Sequence, residues 1–487
     1  MSANDHDLVI RGGIVVTAGE TMRADIAIRG ERVAAIGEGL GPARREIDAA
    51  GRIVTPGGVD AHCHIEQISG TGVMNADTFE TATRAAALGG TTSVISFASQ
   101  HPGMRLRDVV DDYTARAARG AIVDHAFHMI VSDPDEAALT RDLPALIAEG
   151  HRSIKIFTTY DKVRLGDEQI LDLMACAREH GALVCIHAEN DGLIRWMTRR
   201  LLAAGLTAPA AHALSHPRVA EVEAMERMIR LAAFVDQPIV LFHVSTAEGV
   251  GVVARARAAG LRVHAETCPH YLFMTAEVLD RPGIEGAKFM CSPPQREVLD
   301  QDALWQGLAT GDLGYVSSDH SPYRFDQSGK LRAGPAPSFD RIANGLPGIG
   351  LRQALMFDAM VSKGRLGAQR FVELTSTAPA RLYGLAGKGT ISVGSDADLV
   401  IWDQDRRVTL SDADGQDNAG YTPFAGREIT GWPQMVLLRG RAIVEGGRLT
   451  GEPGGGRLLR RAVGETMRPT GRQGAELAAM GGTPAWR

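Results

Sequence analysis

Aromatic residues are scarce in this sequence, at 5%, and cysteines number only five. So few rings exclude a nucleic-acid platform built on stacked aromatics. Cys63, Cys176, Cys185, Cys268 and Cys291 are scattered, odd in number and never spaced as CxxC. That pattern argues against a disulfide framework and against a four-cysteine zinc site. No run of 18 apolar residues is present, and the polar start Asp5-His6-Asp7 carries no signal-peptide pattern. An excess of one charge is missing too: 52 basic and 58 acidic residues leave a net charge of −6 over 487 residues. Such a balance is no footprint for nucleic acid or for an anionic membrane. The expectation is a soluble, cytoplasmic protein that binds neither. Glycine, by contrast, is abundant: 56 residues, where about 7% of a chain is usual. Many tight turns and loops are expected.

Texture changes along the chain. Residues 7–11, 14–16, 25–29 and 32–36 cluster β-branched residues between Gly and charged turns, as short strands do. The same texture returns at 390–392, 397–402 and 435–444. Between these flanks, eight apolar runs alternate with helical patterns. The runs are 58–61, 92–97, 124–131, 153–157, 182–187, 238–243, 261–266 and 314–319, with clear helices at 221–235 and 247–259. This alternation predicts an α/β fold, a (β/α)8 barrel over residues 56–385. An open doubly wound sheet is the rival, and no GxGxxG or P-loop supports it. Each flank has too few strands to bury a face alone. Residues 1–55 and 386–455 are therefore expected to form one small β-sandwich. Residues 456–487, rich in Gly, Arg and Pro, read as a disordered tail or as an arm that orders on a neighbouring subunit.

Barrel enzymes place their chemistry at the C-terminal ends of the strands. The first run ends in His62-Cys-His64, and residues i and i+2 of a strand point to one side. Run four places Lys155 between Ile154 and Ile156. Its stem could snorkel to the surface. Alternatively, burial makes it a neutral amine, able to take up carbon dioxide as a carbamate that bridges two divalent cations. Runs five, six and eight end in His187, His243 and Asp319. Singly, each reads equally well as a packed histidine or a helix-capping aspartate. Jointly, imidazoles and a carboxylate suit a first-row metal, zinc by default, with manganese or cobalt open. His101, His151, His180, His212 and His216 read as solvated, and His125 and His128 as core or rim.

Several segments carry a resemblance. They include Pro56-Gly-Gly-Val-Asp-Ala-His-Cys-His64, Ser153-Ile-Lys-Ile-Phe157, His187-Ala-Glu-Asn190 and His243-Val-Ser-Thr246. They continue with Glu266-Thr-Cys-Pro-His-Tyr-Leu272, Cys291-Ser-Pro-Pro294, Ser317-Ser-Asp-His320 and Asn344-Gly-Leu-Pro-Gly348. In this order the chain resembles the cyclic amidohydrolases, the dihydropyrimidinase and hydantoinase branch of the amidohydrolase superfamily. The resemblance implies a binuclear site. His62, His64 and Asp319 would hold one metal, His187 and His243 the other, and carboxylated Lys155 would bridge them. It further implies that Tyr160 donates to the substrate carbonyl, that Asp319 moves the proton, and that Ser292 and Asn344 contact the ring amide through their backbones. The activity implied is opening of a dihydropyrimidine or hydantoin to an N-carbamoyl amino acid, by a homotetramer or dimer. A cyclic imide hydrolase, an allantoinase-like enzyme and a non-catalytic relative are the alternatives, and the last kind has lost metal ligands. Two departures stand out. Glu66 replaces the arginine with which dihydroorotase-like relatives bind a substrate carboxylate. Ile68 and Ser69 replace the aromatic-bearing loop of hydantoinases that take bulky rings.

Overall fold

The structure, a computed structural model, describes residues 6–69 and 72–483. Eight apolar segments pair side by side in chain order, all parallel: Gly58–Cys63, Thr91–Ser99, Asp124–Ile130, Ser153–Phe157, Leu183–His187, Ile239–Leu241, Val263–Thr267 and Tyr315–Val316. They are nearly all buried on both faces, as strands inside a ring of helices must be. The ring is brought towards closure by polar links between the first and last strands. The Ser318 amide donates to Asp60 Oδ1 at 3.0 Å and the His64 amide to the His320 carbonyl at 2.7 Å. Buried Arg352 lies 3.6 Å from the Asp60 carboxylate and donates to the Val316 carbonyl at 2.9 Å. Close backbone approach here demands glycine: a Cβ on Gly58 would lie 1.8 Å from the Gln353 amide. The eight apolar runs of the sequence correspond to these eight strands, and the expected helices appear as Arg218–Val235 and Ala247–Ala258.

The two chain ends combine in a separate mixed sheet of nine strands. His6–Val16, Thr21–Arg29, Arg32–Gly37, Ala43–Asp48 and Ile53–Pro56 come from the N-terminal side, and Leu399–Thr409, Glu428–Leu438, Arg441–Glu445 and Arg448–Leu449 from the other. Ile53–Pro56 pairs with both His6–Val16 and Leu399–Thr409, so it joins the two halves. The sheet encloses a core of its own around Ile10, Ile26, Val54, Leu399 and Leu437. Segment 390–392, expected as a strand, is irregular. The segment after Gly455 lies along this chain's own barrel. The Leu459 amide donates to the His125 carbonyl at 2.7 Å. Arg461 is buried, donating to Ser153 Oγ at 2.7 Å and to the Phe127 carbonyl at 2.6 Å. No helix among the described residues is long and apolar enough to cross a membrane.

Candidate metal centre

Two of the motifs fold for a simple local reason. The residue three places after a strand-terminal histidine caps the next helix. Asn190 accepts from the Leu193 amide at 3.0 Å and Thr246 from the Gly249 amide at 3.1 Å. Each strand therefore stops where its histidine must turn into the mouth of the barrel. The turns are tight enough that Tyr160, His243 and Asp319 take positive φ values of 73°, 43° and 45°. Non-glycine residues occupy that region at an energetic cost, which the surrounding structure must offset.

His62, His64, Lys155, His187, His243 and Asp319 all line one cavity of about 350 Å³, together with Tyr160, Ser292 and Asn344. Ligand atoms of His62, His64 and Asp319 lie within 4.8 Å of one another. Asp319 Oδ1 is 3.0 Å from His62 Nε2 and 3.2 Å from His64 Nε2. The His187 and His243 rings meet edge to face with centroids 4.5 Å apart, and the His243 ring centre stands 5.6 Å from that of His62.

The donor set fits metal ions. Buried His243 Nδ1 and Lys155 Nζ have no hydrogen-bond partner, which is rare for polar atoms in a protein interior. Three of the rings have one nitrogen tied to an outer partner. His62 Nδ1 bonds to Glu266, His64 Nδ1 to Gln67 at 2.7 Å, and His187 Nε2 to Glu189 at 2.7 Å. Such outer partners fix ring orientation and tautomer for a ligand nitrogen. Burial pushes His187 and His243 well below the usual imidazole range, with help from Lys155 beside His187 and from His187 beside His243. Neutral imidazole is the ligating form. For His62, burial is outweighed by the charges of Asp319 and Glu266, which raise it to about 9. The same two carboxylates favour any cation at that ring.

Lys155 is 1% exposed and lies among Phe97, Phe157 and Phe242, with Nζ 5.8, 4.8 and 4.1 Å from the ring centres. Burial pushes its amine down to about 7, so a substantial neutral fraction exists near neutral pH. Its stem does not reach the surface. Asp319 is held well below the usual carboxylate range: burial would raise it, but His62 and His64 outweigh that.

Residues 53–443 match the amidohydrolase family. The chain belongs to that family. This amidohydrolase is 40% identical over 457 residues to a D-hydantoinase of Ralstonia pickettii, covering 93% of this chain and 99% of the relative. A D-hydantoinase of Streptomyces coelicolor is 42% identical over 463 residues, with 93% and 98% covered. The solved dihydropyrimidinase from Brevibacillus agri NCHU1002 superposes with a TM-score of 0.90 at 40% identity, covering 94% of this chain and 99% of that one. This kinship places the amidohydrolase among the cyclic amidohydrolases.

Beside these histidines, Lys155 and Asp319, one wall of the cavity is a backbone segment whose carbonyls are almost all occupied. Phe289 O accepts from Gln295 at 2.9 Å, Met290 O from the Gly345 amide at 2.9 Å, Cys291 O from His212 at 2.7 Å and Pro293 O from Tyr271 at 2.7 Å. Among the described residues, no donor reaches the Ser292 carbonyl. The Asn344 side chain donates to Ser292 Oγ at 3.0 Å, and Tyr160 lines the same cavity.

Two expectations from the sequence differ from the structure. His151, His212 and His216 are buried, not solvated. His212 holds the Cys291 carbonyl, and the His216 ring lies tilted beside it with ring centres 4.4 Å apart. Glu66 does not face the cavity. It accepts from the Phe79 amide at 2.9 Å, at the start of the helix Phe79–Leu88, and lies 3.9 Å from Arg116. Ile68 and Ser69 do line the cavity, while Gly70 and Thr71 of that loop lie outside the described residues. Glu189, Gln67 and Glu266 were given no role from sequence. Glu189 and Glu266 stood inside recognised motifs at strand ends, and that placement was the available signal.

Proposed function

We propose that the protein opens a cyclic amide, a dihydropyrimidine or a hydantoin, to an N-carbamoyl amino acid. The observation that carries this reading is the convergence of four histidines, Lys155 and Asp319 on one cavity, with His243 Nδ1 and Lys155 Nζ unpartnered there. His62, His64 and Asp319 would hold one divalent cation and His187 and His243 a second. Carboxylated Lys155 would help hold both. Zinc suits these ligands. When bound, the pair of cations lowers the pKa of a water and polarises the ring carbonyl.

The chain's own groups do the rest. Burial pushes the Tyr160 phenol up, so it stays protonated and donates to the carbonyl oxygen as negative charge develops there. The Asp319 carboxylate accepts the proton of the attacking water and delivers it to the departing ring nitrogen. The free Ser292 carbonyl accepts the ring N–H, and the Asn344 backbone holds the other side of the amide. The cavity walls keep the ring in register with these groups. All six ligands named by the resemblance are present, which separates this chain from non-catalytic relatives. We further propose a homotetramer or dimer. Exposed Trp196, Leu206, Leu214, Val219 and Phe234, all within residues 196–234, support self-association.

The test is a side-by-side assay of dihydrouracil, hydantoin, succinimide and allantoin with zinc-loaded enzyme. Dihydrouracil and hydantoin should be opened fastest, each to its N-carbamoyl product. Faster opening of succinimide would make this an imide hydrolase.

A further inference from the structure

Lys330 is fully buried, and no carboxylate of the described residues pairs with it. Burying a lone amine carries a penalty, and an apolar side chain would fill the same volume without it. What the amine adds is two hydrogen bonds. Nζ donates to the Ala343 carbonyl at 2.9 Å and to the Met290 carbonyl at 3.3 Å. These two carbonyls belong to different loops. Ala343 immediately precedes Asn344, and Met290 stands two residues before Ser292.

Lys330 itself is held in a tight turn. Its amide donates to the Arg324 carbonyl at 2.8 Å, and the Gly329 and Leu331 amides donate to the Asp326 carbonyl at 3.1 and 2.9 Å. A Cβ on Gly329 would lie 2.1 Å from the Arg324 carbonyl, so only glycine lets the turn close. The side chain thus reaches both loops from a fixed third point.

We propose that Lys330 is a positioning residue for substrate binding: it sets the spacing between the Ser292 carbonyl and the Asn344 backbone. The proposal rests on the reading of those two groups as the contacts for the ring amide. His212, Tyr271 and Gln295 each hold a carbonyl of the 289–293 segment alone. The Gly345 amide and the Asn344 side chain join the two loops directly at Met290 and Ser292, and Lys330 adds a third tie from outside both loops, through a side chain that does not line the cavity. Burial pushes the amine down to about 7. A neutral amine keeps two N–H donors and a charged one has three. Two carbonyls are therefore served in either state.

The test replaces Lys330 with methionine, which keeps the length and removes the donors. With hydantoin and dihydrouracil as substrates, Lys330→Met should raise KM about tenfold and change kcat less than about threefold. Bound metal per chain should match the wild type. A role confined to stability would instead lower the fraction of active enzyme and leave KM unchanged, and that result overturns the proposal. Should Lys330→Met fail to fold, Lys330→Gln carries the test. It keeps a shorter donor and should raise KM about threefold, and an unchanged KM overturns the proposal equally. If the wild type opens neither substrate, the reading of the reaction has failed first. If the wild type opens them and KM is insensitive to Lys330, only this inference fails.

Discussion

Glu266 lies on the seventh barrel strand, and its partner His62 on the first. The carboxylate is fully buried and bonds His62 Nδ1. That bond directs Nε2 towards Asp319, 3.0 Å away. Replacing Glu266 with glutamine keeps the shape and removes the charge. Loss of an outer partner of this kind costs about 10–100-fold in metal affinity or activity. Glu266→Gln should therefore lose metal on dialysis against a chelator at concentrations the wild type withstands. Equal retention would remove Glu266 from the centre. At this scale the sequence was legible for the ligands and much less so for their supports. HxH spacing and a lysine inside an apolar strand are visible in one dimension. The pairing of His62 with Glu266, 204 residues apart, exists only once the barrel forms. The buried state of His212 and His216 was hidden for the same reason. Their neighbours are the 291–296 loop and its Arg296, which are remote in sequence.

Barrel, terminal sheet and C-terminal segment are joined at Asp124, the first residue of the third barrel strand. Its carboxylate accepts from Lys388 at 2.6 Å, from Arg439 of the loop after Glu428–Leu438, and from the Arg457 amide at 2.8 Å. Burial would raise its pKa, but Lys388 and Arg439 outweigh that and hold it below the usual carboxylate range. Breaking a buried pair by removing one charge costs about 3–5 kcal/mol. Asp124→Asn should lower the unfolding midpoint at pH 7 accordingly. The pH sign follows from the lowered folded value. The stabilisation is complete above the unfolded carboxylate pKa and fades as pH falls through the lower folded one, so the gap between wild type and variant should narrow as the pH drops below the ordinary carboxylate range. A gap independent of pH would contradict the ionic account. Among the elements, the barrel strands were legible because burial on both faces makes them continuous apolar runs. Ala43–Asp48 was missed, since Arg44, Arg45 and Glu46 face solvent and leave no alternation to read. Residues 456–483 read as loose for a similar reason. Their composition is polar, and nothing in it signals that Arg461 inserts beneath the barrel.

Taken whole, the molecule is a barrel whose mouth collects histidine, lysine and aspartate side chains from the ends of five strands and whose base is covered by its own C-terminal segment. Six donors at these strand ends need the barrel closed before they converge, so metal binding and the tertiary fold are linked. Lys155 is the member with no role in an ordinary apolar core: an unpartnered amine among three phenylalanine rings. The account assigns it the bridge between two cations. Metal content and hydantoin turnover of Lys155→Ala, measured beside the wild type, test this most directly. The account predicts two metals per chain and turnover in the wild type, loss of both in the variant, and partial recovery when a short carboxylic acid is added with metal. Full activity in Lys155→Ala would contradict it.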